Sequence, residues 1–446
     1  MRISILSDFH FGFAWNTKLE NDSFENAREA IEKALDSDLI LIAGDIFDSR
    51  VPTTEVWARA LSILCKPSLA KNKGVKLVKT IDKDLREISK RSLSGIPVIA
   101  IHGTHERRSK GQINAVEVLE RTGFLIHLHC NGLIFEKNGI KVAIQGMSGV
   151  PERFAKQILD RWNPKPIEGC FNILMLHQSI DPFVYSPLEP PTLTMKNLPE
   201  GFDLIIDGHI HVHEINRLND TTLLMPGSTV ITQFKLEEAN NPKGFYKIEL
   251  NGEPTIKFIE LEKARKFFFK EIEIQPKTPV RDQIEEIITS ILKEEFKKPP
   301  YIKIKICGKE VEVFDRELRE IEKKFSDRAI IDFSKELESP EVTEKIELLR
   351  NLRERKLSVE EMGLKILNEN LKELNFTSSF NSDLIFRLLS DGEVERAFNI
   401  LIGEQETLTK ALEKSLKREE SEKEKEVEEK TEESKEKGEG LLRWVK

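Results

Sequence analysis

Carboxylate and imidazole side chains recur in the first half of this 446-residue chain, in short motifs typical of divalent-metal sites. A single motif carries little weight, because one buried histidine is more often a hydrogen-bonded core residue than a metal ligand. Five motifs along one chain point instead to a shared site. In chain order they are Asp8-Phe9-His10, Gly44-Asp45, Gly103-Thr104-His105-Glu106, His177 and Asp207-Gly208-His209-Ile210-His211.

The types of donor restrict both the metal and the reaction. Mixed oxygen and imidazole ligation favours manganese, iron or zinc over calcium or magnesium, and the lack of cysteine ligands removes a reason to prefer zinc. Two adjacent cations need a shared carboxylate that offsets their repulsion, and Asp45 suits this bridging role. A pair of such cations activates water for attack on phosphorus and stabilises the transition-state oxygens. The motifs therefore predict phosphoester hydrolysis.

Each motif follows a short run of Ile, Val and Leu that is typical of a buried strand. Helical periodicity separates these runs, and the alternation of strands and helices predicts an α/β domain. Because open α/β sheets hold their sites at the carboxyl ends of strands, the motifs should meet at one edge. The runs are Ile3 to Leu6, Leu39 to Ala43, Pro97 to Ile101, Asn172 to Leu176 and Leu204 to Ile206.

Changes of pattern divide the rest of the chain. Two-residue alternation over about 212–261, broken at Asn219-Asp220 and Asn251-Gly252, predicts hairpins that complete a second sheet, so a layered β-sandwich flanked by helices should occupy 1–262. A small α+β domain is predicted for 263–335. A helical segment is predicted for 340–412, and a charged mobile tail for 413–446.

The helical segment carries an apolar stripe that needs a covering surface. The stripe is formed by Val394, Ala397, Phe398, Leu401 and Ile402, and a capping box at Ser358 and Glu361 begins an earlier helix. Packing among these helices and docking on an external partner are both compatible with the pattern.

Composition favours a cytoplasmic protein. No run approaches the about 18 apolar residues that a spanning helix needs, so no membrane association is expected. Cys65, Cys130, Cys170 and Cys307 form no C-x-x-C pair, which indicates a reducing compartment. The net charge is −8, but Lys66 to Arg91 holds nine basic and three acidic residues. This basic stretch could face phosphate groups or solvent alone.

In their order and composition the motifs resemble those of calcineurin-like metallophosphoesterases, whose third motif usually reads G-N-H-D/E. Within that superfamily, three further segments look like the DNA double-strand-break repair nucleases of the SbcD type, also called the meiotic-recombination-eleven family. The resemblance rests on specific motifs over residues 1 to about 262 and on architecture alone to about 410. The three segments are Gly44-Asp45-Ile46-Phe47-Asp48 with Pro52, Leu174-Met175-Leu176-His177-Gln178, and Pro226-Gly227-Ser228.

This resemblance implies a manganese-dependent exonuclease and endonuclease with two Mn²⁺ per subunit. By residue-by-residue transfer, Asp8, His10, Asp45 and His211 would bind one ion, and Asp45, His177 and His209 the other. His105 would stabilise the transition state or protonate the leaving group. The family also implies a small domain that caps the site and contacts DNA, a homodimer, and C-terminal helices that dock on an SMC-like coiled-coil ATPase of the SbcC type.

Two positions depart from the family pattern. Thr104 stands where the family has a metal-binding Asn, and Asp48 stands where a His is often found. A hydroxyl is a poorer donor to a divalent cation than an amide oxygen and has a shorter reach. The second ion, with Thr104 as its weak additional ligand, should therefore bind less tightly than the first.

Two other functions are compatible with the sequence. One is a phosphoesterase of the same fold that acts on a phosphoprotein or a nucleotide, and the other is a scaffold with a weakened metal site. Arg107, Arg108 and Lys110, beside the third motif, favour DNA, because a polyanion is held chiefly through phosphate contacts. Retention of the remaining ligands argues against a scaffold.

Overall fold

The computed structural model describes residues 1–108, 111–184, 193–273, 279–308, 315–337, 363–364, 367–368, 381–390 and 394–401. Within these ranges, the residues up to 337 form one compact unit and those from 363 belong to a second. Lys110, Ser358, Glu361, Ile402 and the predicted tail lie outside the described residues. None of the described helices is long and apolar enough to cross a bilayer.

Two mixed sheets form the centre of the first unit. The six-stranded sheet has the spatial order β15 (Thr255–Glu260), β14 (Gly244–Glu249), β1 (Arg2–Leu6), β2 (Leu39–Ala43), β4 (Val98–Ile101) and β5 (Ile126–His127). The seven-stranded sheet has the order β12 (Glu214–Leu218), β13 (Thr221–Met225), β11 (Leu204–Asp207), β8 (Phe171–Leu176), β7 (Ile140–Gly146), β6 (Asn131–Lys137) and β3 (Lys76–Ile81).

Alternating side chains of these strands fill two separate cores. Ile3, Ile5 and Leu41 of the six-stranded sheet pack against Ile144 and Ile173 of the seven-stranded sheet. The opposite face of the six-stranded sheet is covered by helices. The α/β sandwich expected from the sequence is confirmed.

The helices of this unit begin and end where capping residues allow. Asn114 accepts a hydrogen bond from Glu117 N at 2.9 Å, and Gly123 ends the same helix with a φ of 78°. Further bounds are α1 Asp22–Ala34, α2 Thr54–Leu64, α3 Lys66–Leu69, α4 Lys90–Ser94, α5 Ala115–Thr122, α6 Glu152–Trp162 and α7 Leu236–Ala239. Two short strands, β9 (Ile180–Asp181) and β10 (Leu193–Thr194), pair with each other.

The two expected hairpins are present, but they belong to different sheets. β12 and β13 extend the seven-stranded sheet, whereas β14 pairs with β1 and so extends the six-stranded one. The expectation that both hairpins complete a second sheet was therefore wrong for the later hairpin. The reason is tertiary, because Arg2 of β1 lies opposite Glu249 of β14.

A smaller sheet with its own core follows residue 263. Its strands β16 (Phe267–Glu273), β17 (Tyr301–Gly308) and β18 (Ile330–Leu337) are parallel, and α8 (Val280–Ile291) and α9 (Asp315–Phe325) pack on one face through Ile284, Ile288 and Ile321. α8 ends at Ile291, and Phe296, beyond its C-terminal end, packs against Phe268. We call residues 263–337 the small subdomain.

An ion pair and an aromatic cluster join the small subdomain to the sandwich. Arg265 Nε lies 2.6 Å from Asp22 Oδ2 of α1, and both side chains are largely buried. Lys298 Nζ adds a contact of 2.5 Å to Glu25 on the same helix. The ring of Phe234 stacks on Tyr301 at a centroid distance of 4.3 Å. These contacts fix the small subdomain against the edge of the sandwich.

The second unit contains the helices Ser382–Ser390 and Val394–Leu401. Ala397 and Ile400 of the later helix pack with Ile385 and Leu388 of the earlier one. Phe398, also in the predicted stripe, is 58% exposed. Helix packing therefore covers part of the apolar surface and leaves Phe398 available.

Candidate metal centre

Four strand ends from both sheets supply the six carboxylate and imidazole ligand candidates, and a fifth, the end of β4, leads into the third motif with Thr104. Asp8 and His10 follow β1, Asp45 follows β2, His177 follows β8, and His209 and His211 follow β11. Main-chain hydrogen bonds cross between the loops, from Asp8 N to Gly44 O at 3.0 Å and from His10 N to Asp45 O at 3.0 Å. The expected meeting of the motifs at one edge is what the structure has.

The backbone at four of these residues is left-handed. The φ values are 53° at Asp8, 47° at His10, 46° at Asp45 and 72° at His209. Residues other than glycine adopt this region rarely, and they keep it where the surrounding structure compels it. Such residues concentrate at functional sites. The conformation of these loops therefore follows from where their side chains must lie, and not from the intrinsic backbone preferences of Asp and His.

The donor atoms form two compact groups. Asp8, His10 and His211 place one donor atom each within 4.8 Å of one another, and Asp45, His177 and His209 do the same. In the first group His10 Nε2 lies 3.2 Å from His211 Nε2 and 3.9 Å from Asp8 Oδ1. In the second, His177 Nε2 lies 3.2 Å from Asp45 Oδ2.

Several of these buried atoms are left without protein partners. Both carboxylate oxygens of Asp8, and Nε2 of His177, have no hydrogen bond from the described residues. The contact of His177 with Asp45 is close but lacks hydrogen-bond geometry. Unsatisfied buried polar atoms are rare in folded proteins and call for an explanation. Carboxylate and imidazole donors aimed into one buried space fit a divalent cation, which would satisfy them together.

Burial shifts the protonation of these groups in opposite directions. Burial raises the pKa of Asp8 to about 6, despite the opposing charge of His177. Burial alone would lower the pKa of His177, but the negative charge of Asp45 raises it to about 10. Burial and the charge of His177 lower the pKa of His209 to about 3. Ligand groups bind a cation in their deprotonated forms, so metal binding here releases protons.

Three of the imidazoles are oriented by a hydrogen bond at Nδ1. His10 Nδ1 lies 3.0 Å from Asp48 Oδ1, His177 Nδ1 lies 2.7 Å from the carbonyl oxygen of Ala43, and His211 Nδ1 lies 2.5 Å from Thr232 Oγ1. Metal-binding histidines usually donate their second ring nitrogen to such acceptors. With Nδ1 protonated, each ring presents the Nε2 lone pair to the interior.

The motif glycines are required by close approach. A Cβ at Gly103 would lie 2.1 Å from Asp45 Oδ1, and a Cβ at Gly44 would lie 2.3 Å from His177 Nδ1. Glu106 joins the same two loops, because its carboxylate accepts hydrogen bonds at 2.8 Å from both Phe47 N and Gly103 N. Burial raises the pKa of Glu106 to about 8.

Thr104 and His105 lie at the open side of the site. Thr104 Oγ1 donates to Asp45 Oδ2 at 3.4 Å, and His105 N donates to Asp45 Oδ1 at 2.9 Å. The His105 ring is 39% exposed, and its Nδ1 donates to Asp48 O at 2.9 Å. His105 therefore borders both the donor groups and solvent.

The other predicted site residues belong to the segment after His105, and two further histidines lie in the core. Arg107 and Arg108 follow His105 along the chain and are partly buried, while Lys110 lies outside the described residues. His102 and His127, which stand outside the five motifs, are buried, with His102 Nδ1 3.0 Å from His127 Nε2. Their hydrogen bonding accounts for them without a ligand role.

Sequence reasoning missed the residues that hold the ligands in place. Asp48 was noted only as a departure from a family pattern, although its carboxylate contacts His10. Thr232, Glu238 and Lys243 were not considered, and they surround His211. Asp48 could have been found from its spacing to Asp45. The other three carry no local signal, since their role depends on tertiary contacts.

Comparison with known proteins agrees with this geometry. Residues 1–213 match the model of the calcineurin-like phosphoesterase family. These residues form a calcineurin-like metallophosphoesterase domain. The metallophosphoesterase domain contains all five motifs, and its model match ends just beyond His211.

Matches that extend beyond this domain are to DNA repair proteins. The chain is 26% identical over 296 residues to the DNA double-strand break repair protein Mre11 of Methanopyrus kandleri, covering 61% of this chain and 59% of that protein. It is 26% identical over 317 residues to Mre11 of Methanococcus maripaludis, covering 67% and 76%. It is 24% identical over 306 residues to MRE11 of Mus musculus, covering 61% and 42%. The matched region spans about half the length of the curated relatives from M. kandleri and mouse.

The glycine of the third motif offers a test of the site. Gly103→Ala should weaken Mn²⁺ binding by at least about 10-fold, the lower range for changes that disturb ligand orientation, because its Cβ would displace the Asp45 carboxylate. Calorimetric titration of the folded variant measures this. Gly74→Ala is the control, since a Cβ there meets no atom within 4 Å and the φ of 86° leaves only backbone strain as the cost of the alanine. Wild-type affinity in Gly103→Ala would contradict the geometry.

Proposed function

We propose that this protein is a manganese-dependent DNA nuclease that acts in double-strand-break repair by two-metal phosphodiester hydrolysis. The observation that carries the proposal is the pair of buried donor groups, with partnerless atoms on Asp8 and His177, within a metallophosphoesterase domain. Similarity to double-strand break repair proteins supports DNA as the substrate. Its place of action is inside the cell, on DNA.

In this proposal Asp45 would be a ligand common to two Mn²⁺ ions. Asp8, His10 and His211 would complete the ligands of one ion, and His177 and His209 those of the other. The compactness of each group, within 4.8 Å, supports this division. When bound, such ions polarise the phosphodiester and lower the pKa of an attacking water. Asp45 Oδ2 lies 3.2 Å from His177 Nε2 of one group, and the main-chain hydrogen bond of 3.0 Å from His10 N to Asp45 O places Asp45 beside the other group.

His105 and Thr104 have different proposed roles. His105 reaches solvent while its Nδ1 donates to Asp48 O, so Nε2 is the ring nitrogen that would carry the second proton of an imidazolium and donate it to a substrate oxygen. His105 therefore stabilises the transition state or protonates the leaving group. Thr104 points its hydroxyl at Asp45 Oδ2 and is a weak ligand at best. The ion bound by His177 and His209 is therefore the weaker one, and activity needs high manganese.

The DNA-binding surface includes the loop after His105. Arg107, Arg108 and Lys110 lie within five residues of His105 in sequence and would meet phosphates that flank the scissile bond. Phosphate contacts give affinity with little dependence on sequence. The small subdomain lies next to the sandwich through Phe234 and Arg265, which supports a capping role beside bound DNA.

Two further interactions belong to the same proposal. The protein acts as a homodimer, and its C-terminal helices dock on an SMC-like coiled-coil ATPase of the SbcC type. Phe398 supports the second interaction, because it stays exposed although Ala397 and Ile400 of the same helix are packed. Exposed aromatic residues on a helix are typical anchors for a partner groove.

Removal of the shared ligand tests the nuclease proposal. Asp45→Ala should reduce cleavage of end-labelled linear DNA in Mn²⁺ to below a few per cent, because two adjacent cations would lose the charge that offsets their repulsion. Asp220→Ala, at an exposed hairpin turn, is the control. Parallel assays on hairpin DNA, a phosphopeptide and a nucleotide separate DNA from the alternative phosphoester substrates. Full activity of Asp45→Ala with matched metal content would exclude the bridging role.

Charge reversal tests the loop after His105. Exchange of Arg107, Arg108 and Lys110 for Glu should weaken DNA binding to a similar degree for all sequences and flatten its salt dependence, because phosphate contacts are lost. Cleavage of a small phosphodiester should be nearly normal. Reversal of Lys141, Lys165 and Lys257, exposed lysines outside both this loop and the basic stretch 66–91, is the control. An unchanged salt slope would assign the cluster to solvent contact only.

Phe398→Ser tests the docking of the helical unit. The variant should lose co-purification with a coiled-coil ATPase of the SbcC type, while DNA cleavage by the isolated protein persists, because an anchor is removed without a change in the donor groups. Val78→Ser is the matched control, because it also replaces an exposed apolar residue, 51% exposed, but in the metallophosphoesterase domain. Retained association of Phe398→Ser would rule out this anchor.

A further inference from the structure

The ring of His211 is held from outside the donor groups by a threonine. Thr232 Oγ1 lies 2.5 Å from His211 Nδ1, while Nε2 of the same ring faces Asp8 Oδ1 at 3.7 Å and His10 Nε2 at 3.2 Å. Because Nε2 must offer a lone pair to a cation, the ring proton sits on Nδ1 and is donated to the threonine oxygen. The hydroxyl thus fixes both the tautomer and the rotation of the ring.

The main chain of His211 is fixed by a buried ion pair. Lys243 Nζ donates to His211 O at 3.1 Å, to Ser228 Oγ at 2.8 Å and to Glu238 Oε1 at 2.5 Å. The side chains of Lys243 and Glu238 are each only 3% exposed. The other Glu238 oxygen accepts from Gln233 N at 2.7 Å, next to Thr232. A single buried pair therefore holds both His211 and the segment that carries Thr232.

The same segment reaches the small subdomain two residues later. Phe234 stacks on Tyr301 with an interplanar angle of 19°, and its ring lies 5.7 Å from that of Phe267 in edge-to-face geometry. Tyr301 and Phe267 begin neighbouring strands of the small subdomain. Residues 226–235 thus contact the backbone of His211, then its ring, and then the aromatic side chains of Tyr301 and Phe267 in the small subdomain. We call them the bridging segment.

We propose that Thr232 is a positioning residue for His211. We also propose that the bridging segment couples the contact between Phe234 and the small subdomain to this ligand. The proposal rests on the proposed function, in which His211 binds a metal ion. A shift of the Phe234 ring on Tyr301 would move the backbone of residue 234, which lies two residues after Thr232. Gln233, held by Glu238, joins Phe234 directly to Thr232, so the shift is passed along the backbone to the threonine hydroxyl and from there to the His211 ring.

A purely packing role for the bridging segment predicts different behaviour. Valine has nearly the shape of threonine, so Thr232→Val removes the acceptor while keeping most of the contacts. Thr229 provides a matched control in the same segment, because its hydroxyl is buried and has no hydrogen-bond partner among the described residues. If packing alone mattered, Thr229→Val and Thr232→Val would have similar effects.

Calorimetric titration of the full chain with Mn²⁺ is the test. Thr232→Val should weaken the binding of one ion by about 10- to 100-fold, as loss of an outer-shell partner does, and Thr232→Ser should restore it. Phe234→Ala should weaken the same ion by about 2- to 30-fold, the range for changes along a packed coupling path. Thr229→Val should bind as the wild type does. In assays on a small phosphodiester, Thr232→Val should raise the Mn²⁺ concentration needed for half-maximal rate, while Thr229→Val should match the wild type.

Two results would overturn the proposal while leaving the proposed function intact. One is wild-type Mn²⁺ affinity in Thr232→Val, and the other is an equal loss in Thr229→Val and Thr232→Val. Wild-type affinity in Phe234→Ala would remove the coupling to the small subdomain. A wild-type protein that binds no Mn²⁺ would overturn the proposed function, and the positioning role of Thr232 with it.

Discussion

The buried carboxylate of Asp45 is the group on which the geometry of the site depends. It accepts hydrogen bonds from His105 N at 2.9 Å and from Thr104 Oγ1 at 3.4 Å, and it lies 3.2 Å from His177 Nε2. An unpaired charge at such depth costs several kcal/mol, so its surroundings must offset that cost. The left-handed backbone of Asp45 and the missing side chain of Gly103 both serve this arrangement, because any Cβ at 103 would collide with the carboxylate.

The two sheets contribute unequal shares of the site. β1, β2 and β4 of one sheet lead into Asp8, Asp45 and the third motif, while β8 and β11 of the other lead into the remaining histidines. Neither sheet alone brings together a full set of donors. The apolar core between them, with Ile5 and Ile173 among its members, therefore sets the distance between the two halves of the site. Changes in that core are expected to alter ligand geometry as well as stability.

The parts of the structure that follow from local sequence were predictable, and those that follow from long-range pairing were not. Apolar runs gave the strands before each motif because those strands are buried on both faces. The sheet to which β14 belongs depends on pairing with β1 across almost the whole domain, which no local pattern encodes. Motif residues could be identified from type and spacing. Thr232 and Lys243 could not, because only folding brings them to His211.

The acceptors that orient the three imidazoles differ, and the difference determines where remote changes can reach the site. His177 is bound to the carbonyl of Ala43, within β2, so the sheet itself fixes that ring. His10 is bound to Asp48, three residues after Asp45 and in the same loop. His211 depends on a hydroxyl in a segment anchored elsewhere. Movement of the small subdomain is therefore expected to affect the ring of His211 more than the rings of His10 and His177, whose hydrogen-bond acceptors belong to the sandwich.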